Sequence, residues 1–171
     1  MIEPGYCLTM ARYNAWQNKL MKVALEELDD AALRAERGAF FGSILKTANH
    51  LLWGDMLWMS RFDRGAGPGM SMSKSTEMTP TFAAWSGERF RTDGRILRWA
   101  EKVGQLGLKG DLEWVSVASG TAFRKPVALC VIQLFNHQTH HRGQIHAMVT
   151  AAGGAGWVTD LPFMPEQGPW L

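Results

Sequence analysis

The sequence predicts an all-α fold, a four-helix bundle with a small β-hairpin before its fourth helix. Four segments repeat apolar residues at the spacing of an α-helix, and this period is lost between Gly104 and Lys125, around a Ser119-Gly120 turn. The chain has 171 residues, of which 46% are hydrophobic, so it is long and apolar enough to form one core. We therefore expect residues 1–171 to form a single helical domain.

The first two helices are predicted from their apolar stripes and their ends. The first runs from about Tyr6 to Leu28 and ends before Asp29-Asp30, because acidic residues at a helix C-terminus oppose the helix dipole. The second runs from about Ser43 to Phe62, with a cap supplied by Gly42-Ser43.

A long connection follows, from Arg64 to Thr79, in which we predict no regular element. Fifteen extended residues span up to about 50 Å, more than the roughly 30 Å of a 20-residue helix, so the second and third helices can run parallel. The third helix is predicted to start at Thr79-Pro80, with threonine as the cap and proline at the first helical position.

The fourth helix is predicted to open at Pro126 and to run to about Ala152, before Gly153-Gly154. The remaining tail, from Trp157 to Trp170, is apolar but interrupted by prolines, so we expect an irregular strap across the bundle.

Composition and charge exclude several classes of function. The net charge is only +2 and the basic residues are scattered, which argues against nucleic-acid binding. No apolar run is long enough for a membrane span, and the N-terminus lacks the features of a secretory signal. The two cysteines, Cys7 and Cys130, fit a reducing cytosol, so a cytoplasmic protein is expected.

Four of the five histidines lie in the fourth predicted helix, and two of them share its core face. That face steps through Leu134, His137, His141, Ile145 and Met148. Side chains at i and i+4 stack on one side of a helix, so His137 and His141 have the spacing that lets two imidazoles bind one metal ion. The alternative is a pair of buried histidines that simply form hydrogen bonds.

His50 lies at the edge of the apolar face of the second predicted helix and can complete a site of three nitrogens. Three protein ligands leave a coordination position open, which is the arrangement of a catalytic site. Neutral imidazoles suit zinc, nickel, iron or copper rather than calcium or magnesium. Alternatively, His50 forms a hydrogen bond across the bundle and no ion binds.

Four motifs of this chain resemble the DinB-like family, a damage-inducible metalloenzyme family that is distinct from the DNA polymerase of the same name. They are Asn14-Ala15-Trp16-Gln17-Asn18, the segment 47–55 (TANHLLWGD), the segment 135–144 (FNHQTHHRGQ) and Asp160-Leu161-Pro162-Phe163-Met164. The resemblance implies an up-down-down-up four-helix bundle, often a homodimer, with a divalent transition metal (zinc, nickel or iron) held by His50, His137 and His141.

The chemistry implied is that of an enzyme acting on a small molecule. Relatives include thiol-dependent isomerases and S-transferases, so we consider thiol transfer with a low-molecular-weight thiol cosubstrate, or a hydrolase-like reaction. The alternatives are a non-catalytic metal-binding stress-response protein and a purely structural helical dimer. A peptidase is disfavoured, because Gln138, Thr139 and His140 stand where a zinc peptidase carries its glutamate.

Further residues are predicted around the histidines, although no catalytic residue is assigned. Asp55 is either an acid–base group or, as we favour, the partner of Arg61 or Arg142 in a salt bridge. Asn49 and Gln144 either orient the imidazoles or form interhelical hydrogen bonds. A catalytic site would face a pocket, expected to be lined by Trp16, Trp53 or Trp58.

Overall fold

The computed structural model describes residues 1–116 and 119–171 and is mostly helical, as predicted. Its α-helices are α1 (Pro4–Glu26), α2 (Asp30–Arg34), α3 (Ile44–Asp63), α4 (Phe82–Lys102) and α5 (Val127–Ala151). Strands β1 (Asp111–Val115) and β2 (Ala122–Pro126) pair antiparallel, which confirms the hairpin. Val117 and Ala118, which directly precede the predicted Ser119-Gly120 turn, lie outside the described residues.

The caps of α3 and α4 show one correct prediction and one error. Ser43 caps α3, because its hydroxyl accepts a hydrogen bond from the Lys46 backbone N–H. In α4 the cap is Thr81, which accepts from the Ala84 N–H, so the predicted start at Thr79-Pro80 is wrong. The Thr79 hydroxyl instead donates to the side-chain oxygen of Asn49 (2.7 Å).

Four short helical elements in the described residues were not predicted, of which the 3₁₀ helices Gln105–Leu108 and Leu161–Phe163 lie away from the histidines. The Asp29 carboxylate accepts a hydrogen bond from the Ala32 N–H (2.7 Å) and caps α2. Asp29 and Asp30 therefore follow the end of α1 and also form the start of α2, where acidic residues are favourable. The connection between α3 and α4, expected to lack regular structure, contains a 3₁₀ helix at Met72–Glu77. Asn49 holds this connection against α3, since its amide donates to the backbone oxygens of Thr76 and Thr79.

The apolar core is divided into two clusters at opposite ends of the long helices. One contains the C-terminal half of α1 and the start of α3, and Trp85 of α4 is fully buried in it, donating its indole N–H to the Ala48 oxygen (3.0 Å). The other contains residues near the start of α1, the end of α3 and the first half of α5, including Cys7, Met59 and Phe135.

A layer of buried polar side chains lies between the two clusters. Arg89 of α4 forms ion pairs with Asp55 of α3 (2.6 Å) and with Asp93 of its own helix (2.8 Å). Burial raises the pKa of both carboxyl groups, and the Arg89 guanidinium opposes that rise. The layer also contains amides and a second guanidinium, from Asn14, Asn18, Gln138 and Arg142.

The C-terminal tail crosses α1, as predicted. The Tyr13 hydroxyl donates to the backbone oxygen of Thr159, and Gln17 donates to that of Val158 (2.9 Å). The indole of Trp157 donates in turn to the Gln17 side chain (3.1 Å). These contacts fix the tail to the outside of the helices. Within the described residues, no helix combines the length and the apolar character that crossing a membrane requires.

We expect Arg89→Met to lower the free energy of unfolding by about 3–5 kcal/mol, because it leaves two carboxylates buried without their cation. Urea unfolding monitored by tryptophan fluorescence measures this change. Arg91→Met is the matched control, since Arg91 lies on the same helix in an exposed pair with Glu88 and should change stability by no more than about 0.5 kcal/mol. Equal effects of the two substitutions would contradict a structural role for the polar layer.

Candidate metal centre

The structure brings together the three histidines that the sequence analysis selected. His50 projects from α3 and His137 and His141 project from α5, and each offers a ring nitrogen such that these atoms all lie within 4.8 Å of one another. The Nε2 atoms of His50 and His137 are 3.3 Å apart. Two nitrogens bound tetrahedrally to one ion at about 2.0–2.1 Å would also be roughly 3.3 Å apart. The geometry is therefore compatible with a metal site.

Hydrogen bonds hold two of the three rings with Nε2 toward the cluster. His141 Nδ1 lies 2.7 Å from the Gln144 oxygen, and His50 Nδ1 lies 2.9 Å from the Ser75 hydroxyl. A histidine that donates its Nδ1–H in this way keeps the lone pair of Nε2 free for a metal. The Nδ1 atom of His137 is buried and has no hydrogen-bond partner among the described residues.

Gly54 provides the space for the His137 ring. A Cβ atom at this position of α3 would lie 2.6 Å from His137 Cε1 and 3.1 Å from its Nδ1. Any other residue at position 54 would push the imidazole away from α3. Glycine is costly inside a helix, and here its lack of a side chain lets a ring from α5 approach His50.

The electrostatic environment keeps the three imidazoles neutral. Burial, with a smaller contribution from the neighbouring imidazoles, lowers the pKa of His50 to about 4 and that of His137 to about 3. Burial also lowers the pKa of His141. Three neutral imidazoles with available lone pairs are a donor set that fits zinc, nickel or iron. The residues present therefore fit the predicted metal.

Asp55 does not belong to this centre, and neither of its predicted partners is correct. Its carboxylate pairs with Arg89 and accepts from Gln138 in the buried polar layer. The Arg61 guanidinium lies over the ring of Trp58, 4.6 Å from its centroid, and Arg142 donates to Asn14 and Gln138. Arg89 was not predicted as the partner of Asp55, because it lies on a different helix and outside the apolar stripe predicted for that helix.

The two amides behave differently from each other. Gln144 orients an imidazole, which was one of the two roles predicted for it. Asn49 contacts the backbone of the connection after α3 and forms no hydrogen bond to any of the three candidate histidines in the described structure. Ser75 was missed altogether, because a lone serine in a segment without periodicity carries no signal in the sequence.

The two other histidines of α5 lie outside the trio. His140 is exposed and packs edge-on against His141, with ring centroids 4.8 Å apart. His146 accepts a hydrogen bond from the Trp157 backbone N–H (3.3 Å). The predicted division of the helix into a face with two ligands and flanks with His140 and His146 is consistent with these positions.

A cavity of about 750 Å³ opens beside His50 and His141, and its walls include Phe40, Phe41 and Met72. The prediction that Trp16, Trp53 or Trp58 lines it is wrong for the described part of the chain. The Trp53 indole donates to the Met70 oxygen, and Trp58 borders a different cavity. The phenylalanines that line this cavity thus come from the segment before α3, which had no helical pattern, whereas Trp53 stacks on His50 (ring centroids 6.0 Å apart) without lining it.

We expect the chelator-treated protein to lose stability as the pH falls below about 6.5, the ordinary pKa of histidine. Below that pH the imidazoles of the unfolded chain bind protons, whereas the buried imidazoles of the folded protein stay neutral. The free energy of unfolding therefore decreases toward acid pH. His137→Gln removes one of these sites and should make the dependence shallower by about 1.4 kcal/mol per pH unit between about pH 6 and pH 4. Urea unfolding at a series of pH values measures both slopes, and equal slopes would contradict a neutral, buried His137.

The comparison with protein families agrees with the resemblance seen in the motifs. A family model described as DinB family matches residues 1–169, which is nearly the whole chain. The searches of curated proteins and of solved structures found no match to this chain. On the strength of the family match, the chain belongs to the DinB family.

Proposed function

We propose that His50, His137 and His141 bind one divalent transition metal ion and that this centre serves an enzyme acting on a small molecule. The observation that carries the proposal is the position of the three histidines, which converge beside a cavity of about 750 Å³. Three protein ligands leave at least one coordination position for water or substrate. A cavity of this size is within the range of small-molecule sites.

Of the two candidate reactions, we favour transfer of a low-molecular-weight thiol over hydrolysis. A divalent metal, when bound, acts as a Lewis acid that favours loss of a proton from a thiol or a water molecule. The carboxylate that serves a zinc peptidase as general base has no counterpart here, because no carboxylate lines the cavity among the described residues and Asp55 is paired with Arg89. The exposed His140, which does line the cavity, is placed to accept the proton that a thiol releases.

The second candidate is a non-catalytic metal-binding protein of a stress response. Such a protein would need a centre enclosed by its own side chains and would have no use for an adjoining cavity. The volume beside His50 and His141 therefore favours the enzyme.

We further propose that residues 1–171 form one domain with an up-down-down-up order of the long helices. Contacts between α3 and α4 support a parallel pair, because Ala48 meets Trp85, Asp55 meets Arg89 and Asp63 meets Arg95, in the same order along both helices. The family resemblance adds a homodimer to this proposal, and the two cysteines, Cys7 and Cys130, add a cytoplasmic location. Light scattering coupled to size exclusion tests the oligomeric state.

We expect the purified protein, stripped with a chelator and reloaded with zinc, nickel or iron, to bind about one ion per chain. His50→Ala, His137→Ala and His141→Ala should each reduce the bound metal to near zero, because two imidazoles hold an ion far less tightly than three. Elemental analysis measures the stoichiometry. His140→Ala and His146→Ala are matched controls on α5 and should keep the ion. Retention of metal by both His137→Ala and His141→Ala would refute the ligand assignment.

We expect the metal-loaded protein to catalyse addition of a cellular thiol to an electrophile, and His137→Ala to lose this activity while remaining folded. A spectrophotometric screen that pairs several low-molecular-weight thiols with a chromogenic electrophile measures the rate. Circular dichroism checks the fold of the variant. Inactivity of the loaded wild type with every thiol would favour the non-catalytic alternative.

A further inference from the structure

The cavity beside His50 and His141 has walls without a permanent charge. Among the described residues that line it there is no lysine, arginine, aspartate or glutamate. This is not general in the molecule, because a cavity of about 390 Å³ between α1 and α4 is lined by Lys19, Lys22 and Arg91, among others. A carboxylate or phosphate group would thus find no basic side chain in the cavity beside the histidines, and burial of an unpaired charge is costly.

Two phenylalanines form an apolar wall next to the candidate ligands. The Phe41 ring lies over His50, with centroids 4.1 Å apart, and also contacts His141 at 5.6 Å. Phe40 packs edge-on against Phe41 at 4.8 Å, yet 84% of its surface is exposed. Met72, from the connection after α3, is 57% exposed and lines the same cavity. These side chains offer apolar surface that a ligand can remove from water.

The phenylalanine wall is held in place by a tight turn. The Arg37 N–H donates to the Gly42 oxygen (2.8 Å), and the Gly42 N–H donates to the Ala39 oxygen (2.7 Å). Gly42 has a φ of +82°, and a side chain there would collide with the Glu36 carboxylate. Because the turn is fixed before any ligand arrives, little conformational freedom is lost when one binds.

The connection after α3 supplies uncharged polar groups. Ser73, Ser75 and Thr76 line the cavity from the connection that Asn49 and Trp53 tie to α3. Hydroxyl groups can form hydrogen bonds with a ligand without requiring it to carry a charge. The cavity therefore combines an apolar wall, neutral polar groups and the imidazoles of His50, His140 and His141.

We propose that this cavity binds an uncharged small molecule that has an aromatic or alkyl body and one donor atom. The body lies against Phe40, Phe41 and Met72, and the donor atom points toward His50 and His141. The position of the donor atom rests on the proposed function, because this atom would bind the proposed metal ion. The preference for an uncharged apolar body rests on the cavity walls alone.

Calorimetric titration of the zinc-loaded protein with three probes tests this proposal. We expect 4-phenylimidazole to bind about 10- to 100-fold more tightly than imidazole, because its phenyl ring is buried, and an imidazolyl benzoate to bind more weakly than 4-phenylimidazole. Phe40→Ser and Met72→Ser should each reduce the phenyl advantage without changing the affinity for imidazole. Phe163→Ser is the matched control, because Phe163 is 68% exposed and lies on a 3₁₀ helix of the tail.

A second titration, of the metal-free protein with 1-naphthol and 1-naphthoate, separates this inference from the metal assignment. We expect naphthol to bind more tightly than naphthoate, and Phe40→Ser and Met72→Ser to weaken naphthol binding by several-fold. This result would support the cavity preference even if zinc failed to bind, an outcome that would refute only the proposed function. Absence of naphthol binding, equal or tighter binding of naphthoate, or naphthol affinity unchanged in both variants would each overturn the inference.

Discussion

The buried ion pairs of Arg89 with Asp55 and Asp93 fix the relative positions of the long helices. Each of those helices contributes to the polar layer: Asn14 and Asn18 from α1, Asp55 from α3, Arg89 and Asp93 from α4, and Gln138 and Arg142 from α5. Two carboxylates and two guanidinium groups balance in charge. A shift of α3 or α4 by one turn would separate Asp55 from Arg89 and bury a charge without its partner, and a shift of α1 or α5 would break the buried amide hydrogen bonds. The layer therefore determines which residues of α3 and α5 face each other.

The candidate metal centre depends on this alignment. On α5 each proposed ligand directly precedes a residue of the polar layer: His137 precedes Gln138, and His141 precedes Arg142. Neighbouring residues of a helix point about 100° apart, so the same two turns direct amide and guanidinium groups into the bundle and imidazoles toward the cavity. Because Gln138 also donates to Asp55, the contact that aligns α5 with α3 brings His137 close to His50.

The parts of the site that the sequence predicts are those encoded by local spacing. His137 and His141 are recognisable because they interrupt an apolar stripe at i and i+4, and His50 because it borders the stripe of α3. The partner of Asp55 lies 34 residues away on a different helix, and spacing within one helix says nothing about it. Ser75, Phe40 and Phe41 come from connections without periodicity. The error at Thr79 has a similar cause. Its hydroxyl donates a hydrogen bond to Asn49, which is distant in sequence, instead of capping the helix that follows.

The charges around the centre limit the ligands that it can accept. Three neutral imidazoles do not compensate the charge of a divalent ion, and the carboxylates of Asp55 and Asp93 are already paired with Arg89. A ligand whose donor atom loses a proton on binding, as a thiol does, would supply one of the two missing negative charges. The rest of that ligand would meet Phe40 and Met72, and no basic side chain lines the described part of the cavity to pair with a second negative charge. The proposed chemistry and the proposed substrate class are thus two consequences of the same distribution of charge.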